Sequence, residues 1–221
     1  MAELDHLVLG AETLEAGAAF VEQRLGVRPS PGGRHEGFGT HNMLLGLGPG
    51  RYLEIIAADP AQAGSAPPRL FGLGDPGTRT LLAAGPRLVG WVARTLALDA
   101  VAGRLGHKAG EVRAMRRGEL KWRMASPPRE EAMDGLIPSL IEWRGAGVGG
   151  AADRIPDSGC RLTALQAEHP SVDALRSALA ERGLEPEDDD DRETLLVLKP
   201  GPHPRLVARL RRVDGAEVAF S

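Results

Sequence analysis

Two carboxylates stand inside apolar runs: Glu54 in "YLEIIA" and Glu142 in "SLIEW". An unpaired acid there is costly, so each must be hydrogen-bonded, protonated, metal-bound or turned into a cavity. Strand alternation puts Glu54 on one face with Tyr52 and Ile56. The competing reading is an acid at a strand end, facing water or paired with an arginine such as Arg51 or Arg144. His6, in "LDHLVLG", raises the same question. Alternation groups it with Leu4 and Val8, opposite Asp5, Leu7 and Leu9. A lone histidine on an apolar face is ordinarily a satisfied core residue.

The stretch "RHEGFGTHN" (34–42) brings two histidines and an asparagine around Gly37 and Gly39. The glycines allow a sharp bend at the mouth of a strand. His41 then shares a side with Met43 and Leu45, Asn42 points the other way, and His35 precedes the bend and can fold back. The stretch reads as a substrate-side loop, with His35, His41 and Asn42 as polar groups at the rim of an apolar pocket. His41 as an extra metal ligand, and a structural turn held by Asn42 and Thr40, are the alternatives. No helix follows the glycines, which disfavours a phosphate cradle.

Other chemistries lack their residues. Cys160 is the single cysteine, which excludes an intrachain disulfide and a Cys-rich zinc site, and it reads as a core residue at a strand start. His107, His169 and His203 fall at turns or helix ends. No G-x-S-x-G elbow and no G-x-G-x-x-G fingerprint is present. A net charge of −3 gives no basic field for nucleic acid or an anionic membrane. No apolar stretch approaches the length of a membrane span, and the first residues do not read as a signal peptide. The expected location is the cytoplasm, and the Ala/Arg/Gly/Pro-rich composition suggests a bacterial source.

The elements that must position these residues follow from periodicity. Residues 4–11 read as a strand, 13–26 as a helix capped by Thr13 and closed by Gly26, and 40–48 and 52–60 as paired strands after a Pro/Gly-rich strand fragment. The order is β-α-β-β-β. It recurs as a strand at 87–95, a helix at 98–106 and strands at 111–118, 120–126 and 136–145. A third, partial echo has a strand from Cys160, a helix at 171–184 with Ser171 at its N-cap, and strands at 194–201 and 205–213. The acidic run 185–193 reads as a solvated turn, since it lacks the acid spacing and central glycine of a calcium loop. Residues 61–86 and 144–159 read as long connections.

"LDHLVLG", the helix ending "RLG", "GGRH…GTHN", "YLEII", and later "GLIPSLIEW" and "LTALQAEHP" together resemble a glyoxalase-like domain of the vicinal-oxygen-chelate superfamily. The resemblance implies an α+β fold of repeated βαβββ modules, forming curved mixed sheets around a cavity with helices outside. The modules would be 1–86, 87–150 and a partial third at 151–221. It also implies divalent-metal ligands on the first and last strands of each module. Carried over, these are His6 and Glu54 in the first module and Glu142 in the second, with the remaining position falling at Gly90 or Trp91, neither a ligand. Trp91 is placed with the substrate-contacting residues. His6, Glu54 and Glu142 form a facial-triad donor set suited to Fe²⁺, Mn²⁺, Zn²⁺ or Ni²⁺, with Glu54 and Glu142 doubling as the catalytic carboxylates. Two functions are expected from different classes. One is metal-assisted lyase, isomerase or dioxygenase chemistry on a small oxygenated molecule; the other is metal-free binding or sequestration of such a molecule. A homodimer is the expected assembly.

Overall fold

The alternation in "YLEIIAA" becomes a strand whose two faces meet different surroundings. In the computed structural model, which describes residues 1–64, 68–145, 150–187 and 195–221, this strand is β4 (Tyr52–Ala58). Leu53, Ile55 and Ala57 enter the main core, while Ile56 belongs to a second cluster with Val8, Val92 and Trp122. The same division runs along β1 (Glu3–Gly10), where Leu7 and Leu9 enter the main core and Val8 the second cluster.

Eight strands make one sheet. Besides β1 and β4 they are β2 (Ser30–His35), β3 (Thr40–Gly46), β5 (Arg87–Arg94), β6 (Val112–Arg117), β7 (Leu120–Ala125) and β8 (Ser139–Arg144), in the order β2-β3-β4-β1-β5-β8-β7-β6. β1 lies antiparallel to β5 at the centre, with β4 parallel to β1 and β8 parallel to β5 on either side. The sheet curls until its outer strands approach. Arg117 of β6 lies so close to Gly33 of β2 that a Cβ at Gly33 would come within 2.6 Å of the arginine Cδ. This nearly closed, curved mixed sheet is the expected α+β architecture.

The outer face carries α1 (Leu14–Leu25), α3 (Leu98–Leu105) and a second sheet. Thr13 caps α1 by accepting from the Ala16 N–H at 3.1 Å, and Gly26 ends it with a left-handed φ of 75°. Gly17 lets α1 sit directly on β4, since a Cβ there would lie 2.4 Å from Ile55 Cγ2. The second sheet contains β9 (Arg161–His169), β10 (Leu196–Pro200), β11 (Arg205–Arg211) and β12 (Glu217–Phe220), in the order β10-β9-β11-β12. Leu165, Ala167, Ala208 and Leu210 join Leu7, Leu9 and Trp91 in one core. Cys160 is fully buried in that core, immediately before β9.

Several boundaries differ from expectation. The connection after β4 contains a helix, α2 (Pro76–Ala83). The strand expected at 136–145 begins only at Ser139, because Met133–Gly135 forms a tight turn with Asp134 at φ 54°. α4 (Val172–Ala180) stops short of 184, and Ser171 caps it without a side-chain bond; the His169 ring instead receives the Ser171 N–H at 2.9 Å. β12 was not anticipated: the strand expected at 205–213 ends at Arg211, and a turn at Arg212–Gly215 returns the chain. Of the acidic run, residues 188–193 lie outside the described residues, as does position 194 of the strand expected to follow. No helix among the described residues is long and apolar enough to cross a membrane.

Candidate functional site

The pairing of β1 with β5 is irregular: Leu4 faces Ala93 and His6 faces Val92, which leaves Asp5 as an extra residue. Such a bulge turns two successive side chains out of simple alternation. Leu4 therefore joins the main core with Leu7 and Leu9, and Asp5 sides with His6. This corrects the face expected for both Leu4 and Asp5. The Asp5 carboxylate takes a 2.6 Å hydrogen bond from His6 Nδ1 and a 2.9 Å bond from Trp143 Nε1. The His6 ring stacks on Tyr52 of β4 at 4.5 Å between centroids.

Glu54 sits between two imidazoles. His6 Nε2 lies 3.6 Å from its Oε2, and His35 Nε2 lies 3.6 Å from its Oε1. The Asn42 amide fixes the arrangement. Its Nδ2 donates to Glu54 Oε1 and faces His35 Nε2 at 3.4 Å. Its Oδ1 accepts from the Gly33 N–H and from Arg117 Nη1, both at 2.9 Å. With the amide nitrogen turned toward it, His35 Nε2 is the acceptor nitrogen. Its proton is on Nδ1, which donates to Thr40 Oγ1 at 2.9 Å. Gly33 matters because its missing side chain leaves room for Arg117 to cross the seam between β2 and β6.

The two histidines are driven to opposite protonation states. Burial alone would lower the His6 pKa, but its hydrogen bonds and charge contacts with Asp5 and Glu54 outweigh burial and raise it from 6.5 to about 9. Burial would raise Glu54, yet His6, His35 and Asn42 pull it from 4.5 down to about 2. His35 is lowered, by burial first, with Glu54 opposing and Arg117 and His6 adding to the depression. At neutral pH the site therefore holds a His6 imidazolium, a Glu54 carboxylate and a neutral His35.

The stability linkage follows from these directions. The His6 contribution is full below 6.5 and is lost as pH rises through about 9. The Glu54 contribution is full above 4.5 and is lost as pH falls through about 2. The His35 contribution is full above 6.5 and fades below it. Imidazole NMR titration is expected to find His6 still charged at pH 8 and His35 neutral at pH 7. A His6 midpoint below 7 would mean that Glu54 is not ionised beside it.

Not every expected residue arrives. His6, His35, Asn42 and Glu54 line one cavity together with Tyr52, Phe71, Met115, Arg117, Trp122 and Trp143. Glu142 does not, because the register of β8 aims Ile141 and Trp143 inward and Glu142 outward. It is paired instead with Arg123 and Arg144, each at 2.6 Å, so the arginine-paired reading of this acid is the correct one. Trp91 is also turned away: it is buried in the main core, and its indole N–H donates to Leu136 O at 2.9 Å. His41 lies on the opposite face of β3 from Asn42 and is not among the cavity's lining residues. On β5, Gly90 is not among the cavity's lining residues, and a Cβ there would meet the Phe71 ring at 3.6 Å, ordinary van der Waals contact.

The donor set expected for a metal is therefore not assembled. Glu142 is committed to two arginines on the other face, and one oxygen of Glu54 already accepts the Asn42 amide. Among the described residues, no group of three or more His, Cys, Asp or Glu side chains is arranged to hold a metal ion. The residues present do not fit a resident divalent metal.

Asp5, Arg117, Trp122 and Trp143 escaped sequence reasoning. The bulge that reorients Asp5 leaves no trace in alternation. Arg117 belongs to the site only because the sheet curls. The tryptophans carried a signal, since an aromatic residue inside a charged strand such as "LKWRMA" marks one protected face.

A family profile described as a glyoxalase-like domain matches residues 4–183. A hypothetical protein from Staphylococcus aureus has a similar fold, with a TM-score of 0.65 at 14% identity over 100% of this chain and 99% of that one. A Streptomyces coelicolor methylmalonyl-CoA epimerase aligns with a TM-score of 0.46 at 17% identity over 65% of this chain and 98% of its own. The Mycobacterium tuberculosis methylmalonyl-CoA epimerase gives 0.43 at 18%, over 66% and 89%. No curated protein matches the sequence.

Proposed function

Because the chain belongs to the glyoxalase-like domain family, within the vicinal-oxygen-chelate superfamily, we propose that its curled sheet receives a small carbonyl compound and that the two buried imidazoles move a proton on it. One observation carries this reading. His6 and His35 flank a single carboxylate in a cavity, and their pKa values are pushed apart. Paired titratable groups driven in opposite directions are the arrangement that acid–base chemistry at neutral pH requires.

The roles follow from the atoms. His35 Nε2 carries the lone pair, held in that tautomer by Thr40 on the far side of the ring, and its contact with the Asn42 amide is long, 3.4 Å, so that substrate can take its place. It takes a proton from the carbon beside the carbonyl. The C–H electron pair becomes the enolate double bond, and negative charge moves to oxygen. The His6 imidazolium donates a hydrogen bond from Nε2 to that oxygen, and Arg117, held on Asn42, adds positive charge to the cavity. Return of the proton, or of a solvent deuteron, from His35 to the same face of the carbon regenerates the carbonyl. Asp5 and Glu54 act through His6: they hold it charged and oriented. Glu54 is a poor base, since its carboxyl is held near 2.

A second reading is binding without turnover, and one observation favours it. The Asn42 amide is engaged by Glu54, His35, Gly33 and Arg117 at once, so the cavity floor is already largely satisfied. The test uses hydroxyacetone, acetoin and dihydroxyacetone in D₂O with a chelator present. Proton transfer predicts protein-dependent loss of the α-proton NMR signals. Ligand-observed binding with no isotope exchange would sink proton transfer and leave the binder.

A further inference from the structure

The inner cavity has a larger neighbour. The inner chamber measures about 30 Å³, room for about two waters. The adjoining one measures about 230 Å³ and is lined by Arg69, Glu111, Arg113 and Ser126, among others. Leu70, Met115 and Met124 line both, so three apolar side chains border the two chambers.

The charges of the outer chamber do not cancel. Arg113 is occupied by Glu111, with both of its bonds going to one carboxylate oxygen, at 2.9 and 2.7 Å. Arg69 pairs with no carboxylate among the described residues. Ser126 accepts from the Ser139 hydroxyl at 2.9 Å, so its own hydroxyl hydrogen is left to donate. One guanidinium and one hydroxyl donor thus line the outer chamber. The apolar border is also strained: the Leu70–Gly72 turn that supplies Leu70 holds Phe71 at φ 52°, in the left-handed region.

We propose that the two chambers form one site for a keto acid: the carbonyl head in the inner chamber, a short apolar stem past Leu70, Met115 and Met124, and a terminal carboxylate on Arg69. This rests on the carbonyl reading of the inner site and adds the substrate class. A single anionic group matches the single unpaired guanidinium, and the stem matches the apolar border. The chambers are too small for a drug-sized ligand, whose pockets begin at about 300 Å³.

The experiment compares methyl-ketone carboxylic acids, beginning with levulinate, against uncharged methyl ketones of equal length. Binding to the full chain is measured by calorimetry. The acids are expected to bind about two- to fivefold tighter at the best length, the range for an ion pair with an exposed guanidinium. Arg69→Gln should erase that preference and leave ketone affinity unchanged; Arg69→Glu should reverse it. Arg69 is exposed, so both variants are expected to fold. A preference that survives Arg69→Gln, or ketones binding as well as acids, overturns this inference and leaves the carbonyl reading standing. Failure of both series to bind wild type overturns both.

Discussion

Glu54→Ala is expected to destabilise the protein by about 3–5 kcal/mol, the range for removing one partner from a buried, charge-paired network. Three groups lose their partner together. The His6 imidazolium loses one of its two flanking carboxylates, the Asn42 Nδ2 loses its acceptor, and His35 loses its nearest anion. Glu54 is only 5% exposed, so water cannot easily replace it. For a chain of this length that cost lowers Tm by roughly 6–20 °C. Glu54→Gln keeps the shape and removes only the charge, so a smaller loss is expected, with His6 titrating at lower pH than in wild type. Chemical denaturation at pH 7 measures the first effect and imidazole NMR the second. A loss below about 1 kcal/mol for Glu54→Ala would mean that no paired charge is held there.

His35→Gln is expected to lower isotope exchange at the α-carbon by about 10²–10⁴-fold, the usual worth of a positioned general base. Glutamine can still offer an acceptor to Asn42, so the fold should survive while the base is gone. His41→Ala is the matched control. It lies on the opposite face of β3 and should leave the rate within about twofold, well under the loss expected for a base. The wild-type pH profile should be bell-shaped. Activity rises as His35 loses its proton, below 6.5, and falls as His6 loses its own near 9. Asp5→Asn should draw the alkaline limb to lower pH, because it removes a group that holds His6 charged. Undiminished exchange in His35→Gln would place the base elsewhere.

Strand periodicity was enough to read the β-α-β-β-β order in both halves of the large sheet, though not α2 or β12, and it put Glu54 on a face with Tyr52 and Ile56, which is where all three lie. It also separated Asn42 from His41, although the side facing the cavity is that of Asn42. Local pattern cannot see register across strands. Glu142 has the same sequence setting as Glu54, but the pairing of β7 with β8 sends it outward to Arg123. Nor can it see a bulge, and so Asp5 was assigned to the wrong face. Arg117 reaches Asn42 only through closure of the sheet, which joins residues 75 positions apart. The acid–base pair was missed for a related reason: two histidines acquire opposite pKa shifts only when one carboxylate lies between them.

The Phe71 ring over Gly90 bears on how such a chain could change its chemistry. A Cβ at 90 would touch the Phe71 ring at 3.6 Å without clashing, so a histidine or glutamate there would have to pack its longer side chain along that ring. Shrinking Phe71 first would open the wall of the inner chamber while adding no donor. Neither change alone gives an open donor: a side chain at 90 lies against the ring, and a smaller residue at 71 adds no ligand. Selection that proceeds one substitution at a time would tend to keep the site in its present chemistry, and a designer seeking a metal centre here would do best to change 71 and 90 in the same gene.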